Sequence, residues 1–156
     1  MNTNTIITLL SIFLPLIGAA IGYLFKYSIE KKKEITNEIT KERRILYQQY
    51  VNLVIDIFAD SKIGKAKTTA NLMKELYDFY KKYVLYASPS VIKAFSNYFQ
   101  HIYKPNENAD TKKTLEFMTK IMVEMRKDLG LKNDGLGGNG EMLMRALITD
   151  YDTIWK

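Results

Sequence analysis

The chain contains no cysteine and only one histidine, His101. Without cysteine it forms neither disulfides nor thiolate metal sites, and one histidine cannot supply a site of paired imidazoles. A catalytic triad would have to use His101, which falls near the end of a predicted helix, where imidazole more often interacts with unpaired carbonyl groups. We therefore predict that the protein is not an enzyme and that it holds neither a metal ion nor a cofactor.

Glycine is scarce, yet Gly135, Gly137 and Gly140 match the dinucleotide-binding pattern G-x-G-x-x-G. This pattern cradles a pyrophosphate when it follows a strand and opens a helix of a parallel sheet. No strand pattern precedes it here, and Glu141 places a negative charge where the phosphate would lie. The segment is predicted to be a connecting loop.

Charged residues are absent from residues 5–25, TIITLLSIFLPLIGAAIGYLF. At about 1.5 Å per residue, a helix of this length crosses the roughly 30 Å hydrocarbon core of a bilayer. Lysines and arginines follow the segment and none precedes it, whereas a cleavable signal peptide carries its positive charge before the apolar run. We predict a single-pass protein of the inner (plasma) membrane, with its N terminus outside and its C-terminal domain in the cytoplasm.

Two small residues one helical turn apart, Gly18 and Gly22, form a G-x-x-x-G pair in this segment. Such a pair lets a second helix pack closely within lipid. It predicts a homo-oligomer that associates through its membrane helices, with the lipid bilayer as the other partner.

The fold class is predicted to be all-α, with the membrane helix continuing into a charged stalk over residues 26–45. Residues 46–156 are predicted to form a cytosolic bundle of four or five helices. Apolar residues at helical spacing and capping signals place these helices at 27–60, at 69–86, from Pro89, from Asp110 or Thr111 to Gly130, and at 141–149.

A net charge of +6 and 11 tyrosines raise the possibility of an anionic ligand. Rings beside cations can bind a nucleotide or single-stranded nucleic acid, although large aromatic residues also fill helical cores. Nucleic acid is the less favoured partner, because a membrane explains the basic residues after the apolar segment equally well. The predicted ligand-binding residues are two adjacent pairs of cations and two tyrosines: Arg43, Arg44, Arg126, Lys127, Tyr80 and Tyr83.

Three short motifs follow the apolar segment: KERRILYQQYVNLVIDIF at 41–58, LYASPSVIKAF at 85–95 and MRKDLGL at 125–131. With the N-terminal span they resemble a family of small, uncharacterised bacterial proteins that have one membrane helix and a helical cytosolic domain. The resemblance covers most of residues 41–131 and brings no catalytic or ligand residue with it. The glycine-rich loop after residue 131 departs from the family pattern.

Some proteins of this layout are membrane effectors of bacterial antiviral defence, in which a cytosolic domain senses a cyclic nucleotide or a partner. By analogy of layout alone, the chain is expected to be a non-enzymatic membrane-anchored sensor/effector that binds a nucleotide-type signal or a protein. The alternative is a membrane-anchored scaffold that docks a partner protein through the helical domain. The residues leave both possibilities open.

Overall fold

The computed structural model describes residues 3–65, 67–104 and 110–155, with side chains at 18, 21–65, 67, 68, 70–104 and 110–155. This part of the chain contains helices and no strand, which confirms the all-α prediction. The helices are α1 (Thr3–Lys62), α2 (Thr69–Tyr83), α3 (Pro89–Ile102), α4 (Thr111–Asp128) and α5 (Tyr151–Ile154), and a 3₁₀ turn, η1 (Glu141–Met144), lies between the last two.

The chain divides into two compact units, Met1–Ile39 and Thr40–Lys156. In the first unit every side chain from residue 21 to residue 39 is exposed. The large apolar side chains among them are Ile21, Tyr23, Leu24, Phe25, Tyr27, Ile29, Ile35 and Ile39. The second unit contains the hydrophobic core.

The predicted membrane segment, residues 5–25, falls mostly outside the described side chains, because those of residues 5–17, 19 and 20 are not among them. Within the described residues, no helix is long and apolar enough to cross a membrane. The glycine pair itself is described. A Cβ atom added to Gly18 or to Gly22 would meet no other atom within 4 Å.

Aromatic packing joins α1, α2 and α3 in the second unit. Tyr50 of α1 is fully buried, with its ring centroid 5.6 Å from that of Phe79 and 5.1 Å from that of Phe95. Tyr83 completes the cluster, with its ring centroid 4.7 Å from Phe79 and 4.5 Å from Phe95. The Tyr50 hydroxyl donates to the carbonyl of Met118 in α4, at 3.3 Å. Burial of side chains this large contributes about 1.5–3 kcal/mol each, so this cluster is a main source of stability.

The predicted apolar faces of the helices turn towards this core. Beyond the aromatic cluster, the buried residues that were predicted from helical spacing are Leu46, Val54, Leu76, Val91, Phe99, Leu115, Met118, Met122 and Met125. Helical periodicity therefore identified much of the core, although it missed Tyr98, Ile121 and Val123, which are also buried.

Both predicted ends of α4 are confirmed. The carboxylate of Asp110 accepts a hydrogen bond from the amide of Lys113 at 3.0 Å, which satisfies a free donor of the first turn. At the other end Gly130 adopts φ +77°, and the amide of Leu131 donates to the carbonyl of Arg126 at 2.8 Å. This is the Schellman arrangement that glycine favours.

The second helix, α2, ends at Tyr83, three residues before the predicted end at Tyr86. The amides of Tyr86 and Ala87 both donate to the Tyr83 carbonyl at 2.9 Å and close a turn there. A proline disfavours helical conformation in the residue before it, and Ser88, which precedes Pro89, is extended at ψ 159°. Ser88 occupies the predicted N-cap position of α3 but makes no capping bond with its side chain.

The prediction of a helix over residues 141–149 is wrong. The chain forms the short 3₁₀ turn η1 and, separately, α5. Gly140, at φ +84°, turns the backbone, and the amide of Leu143 donates to the Gly140 carbonyl at 3.0 Å. This tighter turn directs Met144 into the core, where it is fully buried. A tertiary contact, rather than local spacing, decides the conformation of this segment.

Gly140 also packs closely against α4, because an added Cβ would lie 2.3 Å from Cγ2 of Val123. We expect Gly140→Ala to lower the free energy of unfolding by about 2–4 kcal/mol, from backbone strain at positive φ and from overpacking. Gly130→Ala is the matched control, since its φ is similar and nothing lies within 4 Å. It should lose only about 1–2 kcal/mol. Denaturant unfolding followed by circular dichroism measures both, and equal losses would contradict the packing of Gly140 on α4.

Candidate ligand-binding groove

The carboxylate of Asp128, at the end of α4, is bonded to two other segments of the chain. Its Oδ1 accepts from Nη1 of Arg43 at 3.1 Å, and its Oδ2 accepts from the Tyr47 hydroxyl at 2.5 Å and from the Ser88 amide at 3.3 Å. Only 8% of the Asp128 side chain is exposed. A charge this deeply buried is stable when it is both paired and hydrogen-bonded. We call these four residues the Asp128 cluster.

The Asp128 cluster joins the end of α4 to α1 and to the start of α3. Arg43 strengthens the connection, because its Nε donates to the carbonyl of Tyr86 in the turn before α3. Burial and the hydrogen bond to Asp128 raise the pKa of the Tyr47 hydroxyl, so this group keeps its proton and its role as a donor. The cluster thereby fixes the position of the Tyr47 ring.

Beside that ring lies a groove of about 280 Å³ between α1, α4 and the segment after Gly140. From α1 come residues at three- and four-residue steps, which form one helical face: Arg44, Tyr47, Gln48, Val51 and Ile55. From α4 come Met122, Met125, Arg126 and Leu129. The third side is formed by Leu143, Met144 and Leu147, so the interior of the groove is apolar.

The charged residues among the described lining of the groove are two arginines, with no acidic residue beside them. Arg44 is exposed. Arg126 donates from Nε to Oδ1 of Asn133 at 2.8 Å and from Nη2 to the carbonyl of Lys132 at 3.0 Å. Asn133 is held in turn by a bond from its Nδ2 to the carbonyl of Val123, at 3.1 Å. These acceptors are neutral, so they orient the guanidinium of Arg126 without cancelling its charge.

The other four predicted ligand-binding residues lie outside the groove. Arg43 belongs to the Asp128 cluster, and Lys127 donates to Glu124 at 3.0 Å. Tyr83 is fully buried in the core, and Tyr80 lines a separate hollow between α2 and α3. Of the six predicted residues, the structure therefore places only Arg44 and Arg126 together in one groove.

Sequence reasoning missed the remaining parts of this site. Neither Asp128 nor Tyr47 is among the site residues predicted from the sequence. A usable signal was present in α1, where Val51 and Ile55 widen the apolar stripe beyond the predicted core residues. A stripe of this width can contact a ligand or a partner as well as the core.

The glycine-rich loop, predicted to be a connecting loop, is filled by its own chain. The amide of Asn139 donates to Oε1 of Glu141 at 3.0 Å. A Cβ on Gly137 would lie only 1.9 Å from Oε2 of the same residue. The Glu141 carboxylate therefore occupies the space beside Gly137 that a bound phosphate would need.

The single histidine is part of the packing between α3 and α4. Nε2 of His101 lies 3.0 Å from Oγ1 of Thr114, and its ring packs against Phe117 with centroids 4.9 Å apart. It contacts α4 instead of the carbonyl groups at the end of its own helix. Within the described part of the chain, no three histidine, aspartate or glutamate side chains are placed to hold a metal ion.

Comparison of the chain with protein-family models, with curated proteins and with solved structures gave no significant match. The geometry of the site is therefore the basis for a functional argument.

Removal of the Asp128 carboxylate should destabilise the second unit strongly, because the Arg43 guanidinium would lose its charged partner. We expect Asp128→Ala to lower the free energy of unfolding by about 2–4 kcal/mol, and Tyr47→Phe by about 1 kcal/mol. Asp134→Ala, at an exposed acidic residue of the following loop, is the control and should change it by less than about 0.5 kcal/mol. The measurement is again denaturant unfolding. An Asp128→Ala loss no larger than that of the control would show that the cluster does not hold α1 in place.

Proposed function

We propose that the protein is a membrane-anchored, non-enzymatic sensor/effector. Its second unit binds an anionic signal in the groove. Its response is a change in the association of the N-terminal helices of several copies. The observation that carries this proposal is the groove, in which an apolar interior meets Arg44 and an oriented Arg126 at its edge. Apolar clefts with a few fixed polar groups are the usual form of ligand sites.

Exposed apolar side chains of the first unit support membrane attachment. Six large apolar side chains of this stretch are each at least half exposed: Ile21, Tyr23, Leu24, Phe25, Tyr27 and Ile29. Exposed apolar residues this close together mark a membrane or a partner. The lysines that follow this stretch favour a cytoplasmic location for the second unit.

The polar side chains of the groove support binding rather than catalysis. They are the two arginines, Gln48 and the hydroxyl of Tyr47, which is already committed to Asp128. None of these is an activated nucleophile or a general base near neutral pH.

The residues that line the groove suit only part of the expected nucleotide-type ligand. Arg44 and Arg126 suit a phosphate, but Tyr47 is the single aromatic ring among the lining residues, so a base would have one surface for stacking. The role in antiviral defence is proposed on similarity of layout alone.

A scaffold is the second candidate function, because Met122, Met125 and Met144 all line the groove. Methionine side chains are flexible and let one surface adapt to a protein partner. The two functions differ in what they need from the membrane helix. A scaffold should tolerate its exchange for an unrelated membrane helix, whereas an effector should lose its response.

The association step can be tested at the glycine pair. We expect the double substitution Gly18→Leu, Gly22→Leu to convert an oligomer of the full-length protein in detergent into a monomer, because the larger side chains hold the two backbones apart. Among the described atoms, no side chain lies within 4 Å of a Cβ added at either glycine, so the second unit should fold normally. Light scattering gives the mass, and Ile21→Leu is the matched control within the same segment.

An unchanged mass in the double variant would contradict association through this pair. A wild-type protein that stays monomeric with every ligand tried, cyclic oligonucleotides included, would overturn the effector proposal.

A further inference from the structure

We propose that the groove binds an anionic amphiphile with a single alkyl chain, such as a medium-chain fatty acid. The chain would lie between α1 and α4, with the acidic head group on Arg44 and Arg126. This inference rests on the proposed sensor/effector function and names the chemical class of its ligand.

The size of the groove suits a small ligand. Its volume of about 280 Å³ is near the lower limit of small-molecule sites, which begin at about 300 Å³. We expect a single alkyl chain to fit a site of this size.

The lining of the groove also suits an alkyl chain. Met122 and Met125 on one wall and Met144 on another are unbranched and flexible, so they can close around a chain without a fixed shape. Val51 and Leu147 complete an aliphatic surface. A planar base would gain little here, since most of the lining offers no aromatic plane.

The charges at the edge of the groove select an acidic head group. Asn133 and the Lys132 carbonyl hold one side of the Arg126 guanidinium, which leaves its charge available and its orientation set. Planar guanidinium groups bind carboxylate through paired hydrogen bonds. The nearby carboxylate of Asp128 does not compete for them, because Arg43 already pairs with it.

The test is equilibrium dialysis of labelled fatty acids against the full-length protein in a nonionic detergent, with empty micelles as the background. After that subtraction, affinity should rise about fourfold for each added methylene until the groove is full, the increment expected for burying one methylene. Decanol serves as the uncharged ligand of similar chain length. Wild-type protein that binds decanoate no better than empty micelles would overturn the inference.

Variants of the lining residues distinguish the contribution of the head group to binding from that of the alkyl chain. Arg44→Gln changes an exposed residue and should leave the fold intact. It should lower the affinity for decanoate about tenfold and leave the affinity for decanol unchanged. Adding Arg126→Gln should weaken decanoate further. Lys127→Gln, next to Arg126 but paired with Glu124, should bind as wild type does. Ile55→Trp, at an exposed edge of the groove, should fill it and weaken both ligands.

If Arg44→Gln lowered the affinities for decanol and decanoate equally, the head-group assignment would be contradicted. If the fatty acids fail while a cyclic nucleotide, or a synthetic acidic amphipathic helix, binds the same protein and changes its mass, the ligand class is wrong and the sensor/effector function stands. If these also fail, both proposals fall.

Discussion

The hydrogen-bonded carboxylate of Asp128 is the constraint on which the groove depends. It fixes α1 and the start of α3 against the end of α4, and the aromatic cluster around Tyr50 packs α1, α2 and α3 together. Between α1 and α4 the edge of the apolar stripe of α1 is left exposed at Ile55. Because Asp128 pairs with Arg43 rather than with Arg44 or Arg126, the latter two keep their charge at the edge of an apolar surface. This ion pair thus gives Arg43 a structural role and leaves Arg44 and Arg126 free to bind a ligand.

Helical spacing and caps predicted α3 and α4 well, because the apolar repeat and the capping bonds are both local in sequence. Asp110 and Gly130 each end α4 through bonds to residues within a few positions. The segment after Gly140 failed this approach, since burial of Met144 in the core decides its conformation. The same limit applies to the site. Adjacent residues on a helix point about 100° apart, so each predicted pair sends one cation to the groove and the other elsewhere.

Ligand binding in the second unit can control assembly in only one way. The ligand must bind one assembly state more tightly than the other, and the shift in population cannot exceed that difference in affinity. The wall formed by residues 143–147 is the part of the groove best able to differ between two states. Met144 anchors this segment in the core, while Leu143 and Leu147 remain only partly buried.

Hydrogen exchange of the full-length protein with and without decanoate tests the central claim most directly, because it locates the bound ligand without any substitution. The account predicts added protection of backbone amides in residues 122–129 and 143–147, and in the facing stretch 44–55 of α1. Protection centred on the tyrosine-lined hollow between α2 and α3 would contradict it, as would unchanged hydrogen exchange throughout the second unit.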